Sequence, residues 1–302
     1  MDQVGILDLG SARVKFLFAE RSKEGNITFH RYKRETFLAG KRDTQGRLPQ
    51  ETGVRVAEAA QALFTEAAFP RSGRLVCLAS EVFRTAGNGS EILKEIEQLL
   101  SARIRLLTPA EEGHLFYRAV KQTMNVGDNI AVTDIGGGSI QVIFSDQPDQ
   151  VISAPLGTFA LERTYQRSPD QATREEYEQM RQALRSGLPA LPARGTLIVG
   201  STCMQEFFQT VFSVSGADGF TVNQCIHFFE EIATQPYVPL ESRYPKSPMF
   251  MHGADKVLVC VLAVAEALHA ERIIPTDESL GTGLARLVLE TPDQVKWLLS
   301  SV

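Results

Sequence analysis

Long apolar runs are missing from the chain: no stretch approaches the roughly 18 uninterrupted apolar residues of a membrane-spanning helix. The opening Met1-Asp2-Gln3 also lacks the basic-then-apolar layout of a secretion signal. Both absences lead to the expectation of a cytoplasmic protein that makes no use of a membrane. Cysteine is scarce. Cys77, Cys203, Cys225 and Cys260 lie far apart without a Cys-x-x-Cys pair, which argues against a zinc site or a disulfide framework and for buried, reduced thiols. Positive charge is not in excess either. A net charge of −5 excludes a general nucleic-acid binder, which needs a basic face to displace counterions, so any anion site must be local. Several catalytic signatures do not occur: there is no Gly-x-x-x-x-Gly-Lys-Ser/Thr loop and no His-Glu-x-x-His helix. Gly137-Gly138-Ser139-Ile140-Gln141 is not a nucleophile elbow, because it ends in Gln. The five histidines, His30, His114, His227, His252 and His269, are scattered.

What is present is a chain of 302 residues, 43% apolar, long enough for two domains with substantial cores. Val4 to Leu9 and Val14 to Ala19 read as a hairpin, with a third strand at Ile27 to Thr36. Helical spacing follows from Val54 to Phe64, then a strand at Leu75 to Ala79, helices at Ser80 to Ala86 and Ser90 to Leu100, and a strand at Ile104 to Leu107. Thr108-Pro109 opens a helix running to about Met124, since Pro suits the first turn and Thr can cap. Asn125 to Asn129 reads as a link, which places an N-terminal domain at 1–125 and a C-terminal domain at 126–302. The second begins with strands at Ile130 to Asp134 and Ile140 to Phe144. Later signals are a strand at Thr196 to Val199, helices at Cys225 to Ala233 and Val257 to His269, a strand at Arg272 to Ile274 and a helix around Leu284 to Leu289. The densest basic run, Arg31, Lys33, Arg34, Lys41, Arg42 and Arg47, interrupted by Glu35 and Asp43, reads first as a solvated hairpin or loop and second as a guide for a long polyanion.

The two halves open alike. Gly5-Ile6-Leu7-Asp8-Leu9-Gly10-Ser11 and Ala131-Val132-Thr133-Asp134-Ile135-Gly136-Gly137-Gly138-Ser139 each place an Asp at the end of an apolar strand, before a glycine turn, and a duplicated domain is the economical explanation. Glycine turns let successive backbone amides approach phosphate oxygens. Asp8 and Asp134 are the places for a hard divalent cation such as Mg²⁺, which prefers oxygen ligands. A single such turn is commonly only turn chemistry; the matched pair points to a phosphate clamp.

Asp8-Leu9-Gly10-Ser11, Ala79-Ser80-Glu81-Val82-Phe83-Arg84-Thr85-Ala86-Gly87-Asn88, Glu111-Glu112 and Asp134-Ile135-Gly136-Gly137-Gly138-Ser139 resemble, in order and spacing, the exopolyphosphatase and guanosine pentaphosphate phosphohydrolase family. That family belongs to the actin, sugar-kinase and heat-shock chaperone ATPase superfamily. The similarity extends through Gly200-Ser201-Thr202 and Asp277 to Gly283. It implies an α/β protein of two ribonuclease-H-like domains with an interdomain cleft, and Mg²⁺-dependent release of a terminal phosphate. It places the catalytic Glu at Glu112, as general base, and a phosphate-binding arginine at Arg84, with Gly10, Ser11, Gly136, Gly137, Gly138 and Ser139 on phosphates and Asp8 and Asp134 at the metal.

The chain departs from that pattern at three places. Ser139-Ile140-Gln141 stands where the family has Ser-Thr-Glu, Ala12-Arg13 where it has Asn-Ser, and Gly281-Thr282 where it has Arg-Glu. Gln141 can orient water but cannot accept a proton or charge-balance a metal. The chain also stops without the extra C-terminal helical domains of longer relatives, which favours short polyphosphates or a guanosine polyphosphate over very long chains. Nucleic acid and membrane are not expected partners, and a homodimer is the oligomer kept in view. Two rival readings remain open: a non-catalytic polyphosphate- or nucleotide-binding regulator, silenced at position 141, and a kinase or ATPase of the same superfamily.

Overall fold

The computed structural model of the chain describes residues 2–36, 38–70, 72–124, 127–158, 160–161, 174–200, 204–212, 219–233, 235, 239, 242–244, 251 and 253–295. Contacts divide it into two units, residues 1–123 with 278–302, and residues 124–277.

The first unit is built on β1 (Asp2–Leu9), β2 (Arg13–Arg21), β3 (Ile27–Glu35), β4 (Arg74–Ala79) and β5 (Ile104–Leu106). They form one sheet in the order β3-β2-β1-β4-β5. The β1, β2 and β3 pairings are antiparallel, and β4 and β5 run parallel to β1. Strand residues alternate between two apolar faces, as a sheet covered on both sides requires. Leu7, Leu9, Val14, Phe16 and Phe18 face α1 (Thr52–Glu66) and α3 (Gly89–Leu100). Those helices supply Val56, Ala60 and Leu63, and Ile92, Leu93 and Ile96, each set lying on one helical face. The short α2 (Glu81–Thr85) follows β4, and α4 (Pro109–Thr123) follows β5. On the opposite face Val4, Ile6, Leu17, Ala19, Val76 and Leu78 cluster with Leu115 and with Leu284, Leu287 and Val288 from near the C-terminus.

The second unit repeats this plan. Strands β6 (Ile130–Ile135), β7 (Ile140–Phe144), β8 (Gln147–Ala154), β9 (Thr196–Gly200), β10 (Phe220–Thr221) and β11 (Arg272–Thr276) give the sheet order β10-β11-β9-β6-β7-β8. With β10 set aside, β8-β7-β6-β9-β11 matches the first sheet strand for strand: two antiparallel pairings, then two parallel ones. Around it lie α5 (Arg174–Gly187), α6 (Met204–Phe212), α7 (Val222–Ala233) and the almost wholly buried α8 (Ala254–Ala267). The duplication read from two short stretches is therefore a duplication of whole sheets, and both sheets have the ribonuclease-H-like order.

The division by contacts differs from the single boundary at 125/126. The last helix, α9 (Leu280–Glu290), belongs to the first unit, because its apolar stripe completes the second face of the first sheet and it packs tightly on α4. A Cβ at Gly283 would lie 2.5 Å from the Leu115 carbonyl oxygen, so only glycine allows these helices to approach so closely. Cys77, Cys225 and Cys260 are buried free thiols, and burial pushes Cys77 and Cys260 up to about 12. No helix among the described residues is long and apolar enough to cross a membrane.

Candidate active site

In the first unit β1 delivers Asp8 and then turns through Gly10 to Arg13, closed by the Gly10 N–H donating to the Arg13 carbonyl at 3.0 Å. Thr36 fixes the turn from outside: its N–H and its hydroxyl both donate to the Ala12 carbonyl, at 2.9 and 3.2 Å. In a trans peptide C=O and N–H point in opposite directions, so the Arg13 N–H faces away from Thr36. Ser11 is buried, and its hydroxyl donates to the Glu81 carboxylate at 2.8 Å. That side chain locks the turn to α2, which leaves the backbone amides as its donors for an anion. Asp8 carries a neighbour that sequence reasoning missed: Lys15, directly across the hairpin, brings its ammonium within 3.3 Å of the carboxylate.

The consecutive glutamates separate cleanly. Glu111 forms a capping box with Thr108: the Thr108 N–H donates to the Glu111 carboxylate at 2.7 Å, and the Glu111 N–H donates to the Thr108 hydroxyl at 3.2 Å. Arg105 adds a further bond at 2.8 Å. Partial desolvation pushes the Glu111 carboxyl upward, yet Thr108 and Arg105 together hold it below the usual carboxylate range. Glu112 points the other way. It is 8% exposed in the first turn of α4, where the helix dipole favours negative charge, and it is gripped by Arg84. One nitrogen of that guanidinium, Nη1, donates both to Glu112 and to the Leu107 carbonyl. The structure thus brings together Glu112 and Arg84 as an ion pair, and Asp8, Gly10 and Ser11 on one hairpin.

In the second unit the hairpin from Asp134 to Gln141 follows the same register. Asp134 pairs with Gln141 as Asp8 pairs with Lys15, and Gly136 N–H donates to the Ser139 carbonyl at 2.9 Å. The Gly136 and Gly137 carbonyls accept from Thr158 and Ala160 N–H at 3.1 and 3.3 Å. Since no peptide among the described residues is cis, the Gly137 and Gly138 N–H groups face away from that segment, as an anion nest requires. Gly157 is a second residue that sequence reasoning missed: a Cβ there would stand 2.4 Å from the Gly137 carbonyl oxygen. Its only signal in the sequence is an isolated glycine before Thr158. Gln141 is 2% exposed and donates through Nε2 to the Ser139 hydroxyl at 2.8 Å. With its oxygen taken as acceptor, the Ser139 hydroxyl keeps its proton to donate elsewhere.

The outlying positions have structural employment. The Asp277 carboxylate accepts from the Gln205 N–H at 2.7 Å, near the start of α6. Thr282 is fully buried and forms a reciprocal cap with Ser279. Ser201 and Thr202 lie outside the described residues.

A metal has an uneven choice between the hairpins. Among the described residues no group of three or more His, Cys, Asp or Glu side chains gathers in one place, but Mg²⁺ needs only one or two carboxylates beside substrate oxygens and water. Half-buried Asp134 fits such a role, with a neutral amide across the ladder. Asp8 is already charge-balanced by Lys15.

A model of the Ppx/GppA phosphatase family matches residues 19–236 of the chain. Exopolyphosphatase 1 of Mycobacterium leprae is 24% identical over 167 residues, 54% of this chain and 49% of that protein, so the match spans about half the length of the curated relative. Among solved structures, the Aquifex aeolicus Ppx/GppA phosphatase (type II variant) superposes with a TM-score of 0.72 at 22% identity, covering 96% of this chain and 100% of the other. An exopolyphosphatase from Cytophaga hutchinsonii superposes with a TM-score of 0.79 at 14% identity, covering 96% and 98%. At these identities the likeness is one of fold.

Proposed function

Because the chain belongs to the Ppx/GppA phosphatase family, we propose that it is a phosphohydrolase releasing the terminal phosphate of a short inorganic polyphosphate or of a guanosine polyphosphate. The observation that carries this reading is the pair of matched glycine hairpins, together with a largely buried Glu112 held in place by Arg84. Glu112 takes a proton from water as the water oxygen bonds to the terminal phosphorus. The bridging P–O bond breaks, and the shortened chain leaves with its negative charge. Arg84 orients the Glu112 carboxylate, and its remaining N–H groups face the charge that develops on the phosphoryl oxygens. In each unit the glycine turn, Gly10 to Arg13 in the first and Gly137 and Gly138 in the second, offers backbone N–H groups to phosphate oxygens, and Ser139 offers its hydroxyl. Mg²⁺ held by Asp134 would neutralise phosphoryl charge, which is the contribution such an ion makes in phosphoryl transfer.

One observation favours the second reading, a binding protein with little turnover. The group across from Asp134 is an amide whose nitrogen is already committed to Ser139. The deciding assay measures orthophosphate release from linear polyphosphates of several lengths, guanosine pentaphosphate and ATP, with and without Mg²⁺. Mg²⁺-dependent release from the polyphosphates or the guanosine compound supports hydrolysis. Calorimetric binding without release supports the regulator, and ADP formation with phosphoryl transfer to a metabolite supports a kinase.

A further inference from the structure

The antiparallel register of the first sheet sets charges in rows on the face that carries Asp8. Nearest the turn, Arg13 lies opposite Glu35, and the two form an ion pair at 2.7 Å. The next row crosses three strands: Asp8 on β1, Lys15 on β2 and Lys33 on β3. After it comes Leu17 opposite Arg31. Arg34 and His30 belong to the other face, where Arg34 meets Glu66 and His30 meets Glu20.

These rows are not balanced. Asp8 can offset one lysine, and Lys15 stands beside it at 3.3 Å. Lys33 is exposed and has no carboxylate in ion-pair range among the described residues. Like charges directly opposite on neighbouring strands destabilise a sheet, and Lys33 stands opposite Lys15, so an anion bound at Lys33 relieves the pair. Arg31 extends the cationic edge, its guanidinium 5.7 Å from the Phe29 ring centre. The anion that the neighbouring turn is built for is a phosphate. Resting on the functional reading above, we infer that Lys15 and Lys33 form a phosphate-binding step that holds the chain beyond its reacting end, and that Lys33 sets preference for substrate length.

The step is short by construction. β3 is the edge of the sheet, and adjacent strands are only about 4.8 Å apart, so the row serves one or two additional phosphates and offers nothing to a long polymer. The same edge explains the position of the densest basic run in the sequence: only its odd-numbered strand residues, Arg31 and Lys33, share a face with the turn.

Calorimetric titration of the full chain with linear tripolyphosphate and with linear hexaphosphate tests this step apart from turnover. In Lys33→Ala the affinity for hexaphosphate relative to tripolyphosphate falls about three- to tenfold, between an exposed ion pair and a charge-assisted hydrogen bond, and Lys33→Arg restores it. Arg34→Ala, on the opposite face, keeps the wild-type ratio. An unchanged ratio in Lys33→Ala, or an equal loss in Arg34→Ala, overturns the inference. If the wild type binds neither compound, the inference and the functional reading fall together. Lys33-dependent binding without phosphate release leaves the inference standing and removes only the hydrolytic reading.

Discussion

Alanine at position 157 probes how the second glycine turn is held. The added methyl would lie 2.4 Å from the Gly137 carbonyl oxygen and 2.5 Å from that of Gly136. Carbon–oxygen contacts relax at about 3.3 Å, so the turn and the backbone at Gly157 and Thr158 must separate by about 0.9 Å. That shift stretches the bonds from Thr158 and Ala160, now 3.1 and 3.3 Å, past useful length. Overpacking costs about 1–3 kcal/mol, and each lost hydrogen bond adds about 0.5–1.5 kcal/mol. A penalty of about 2–6 kcal/mol corresponds to a melting temperature lower by about 6–18 °C for a unit of this size, at about 3 °C per kcal/mol. Scanning calorimetry reads the shift directly. Phosphate release should fall with it, since the Gly137 and Gly138 amides lose their fixed direction. A variant with wild-type melting and wild-type turnover would refute the claim that this segment orients the nest.

Two further substitutions bear on the carboxylates and their neighbours. Gln141→Glu replaces a donor to Ser139 with an acceptor, so the Ser139 hydroxyl turns inward while a negative charge appears opposite Asp134. Mg²⁺-dependent release rises if a missing carboxylate limits the rate, and a fall shows that the Ser139 proton matters more; steady-state rates at several Mg²⁺ concentrations distinguish the two. Glu111→Gln lowers the melting temperature at neutral pH. The folded carboxyl lies below its ordinary value, so its stabilisation is full above that ordinary value, about 4.3, and disappears as pH falls through the folded one. The melting difference between wild type and variant should therefore shrink on acidification, and a difference that grows toward low pH contradicts the assignment.

Much of the fold was legible because its signals were strong and local. The strands before both turns are apolar runs ending in Asp and Gly, and the Thr108-Pro109 start of α4 is a capping signal that the structure reproduces with Glu111. What escaped was less apolar or dispersed along the chain. β8, Gln147–Ala154, is a polar edge strand containing Pro148, which an edge tolerates. α5 is largely polar, and Tyr177, Met180 and Leu184 mark its buried side. The return of α9 to the first unit depends on a contact between Gly283 and Leu115 that no linear pattern reveals. At the candidate site, turns and acidic residues were readable from residue type, whereas Lys15 and Gly157 follow from register and close approach, and register alone separates Lys33 from the rest of the basic run. The partition of Glu111 and Glu112 into cap and candidate base likewise needed the helix start in three dimensions.

Glu112→Gln removes the base and keeps the size and hydrogen-bonding shape of the side chain. Orthophosphate release from linear tripolyphosphate and guanosine pentaphosphate is measured beside calorimetric binding of the same compounds. With Glu112 as general base, release drops at least about a hundredfold in the variant, the usual share of such a group, while binding stays near that of the wild type. Release that continues at the wild-type rate in a folded Glu112→Gln protein contradicts that role.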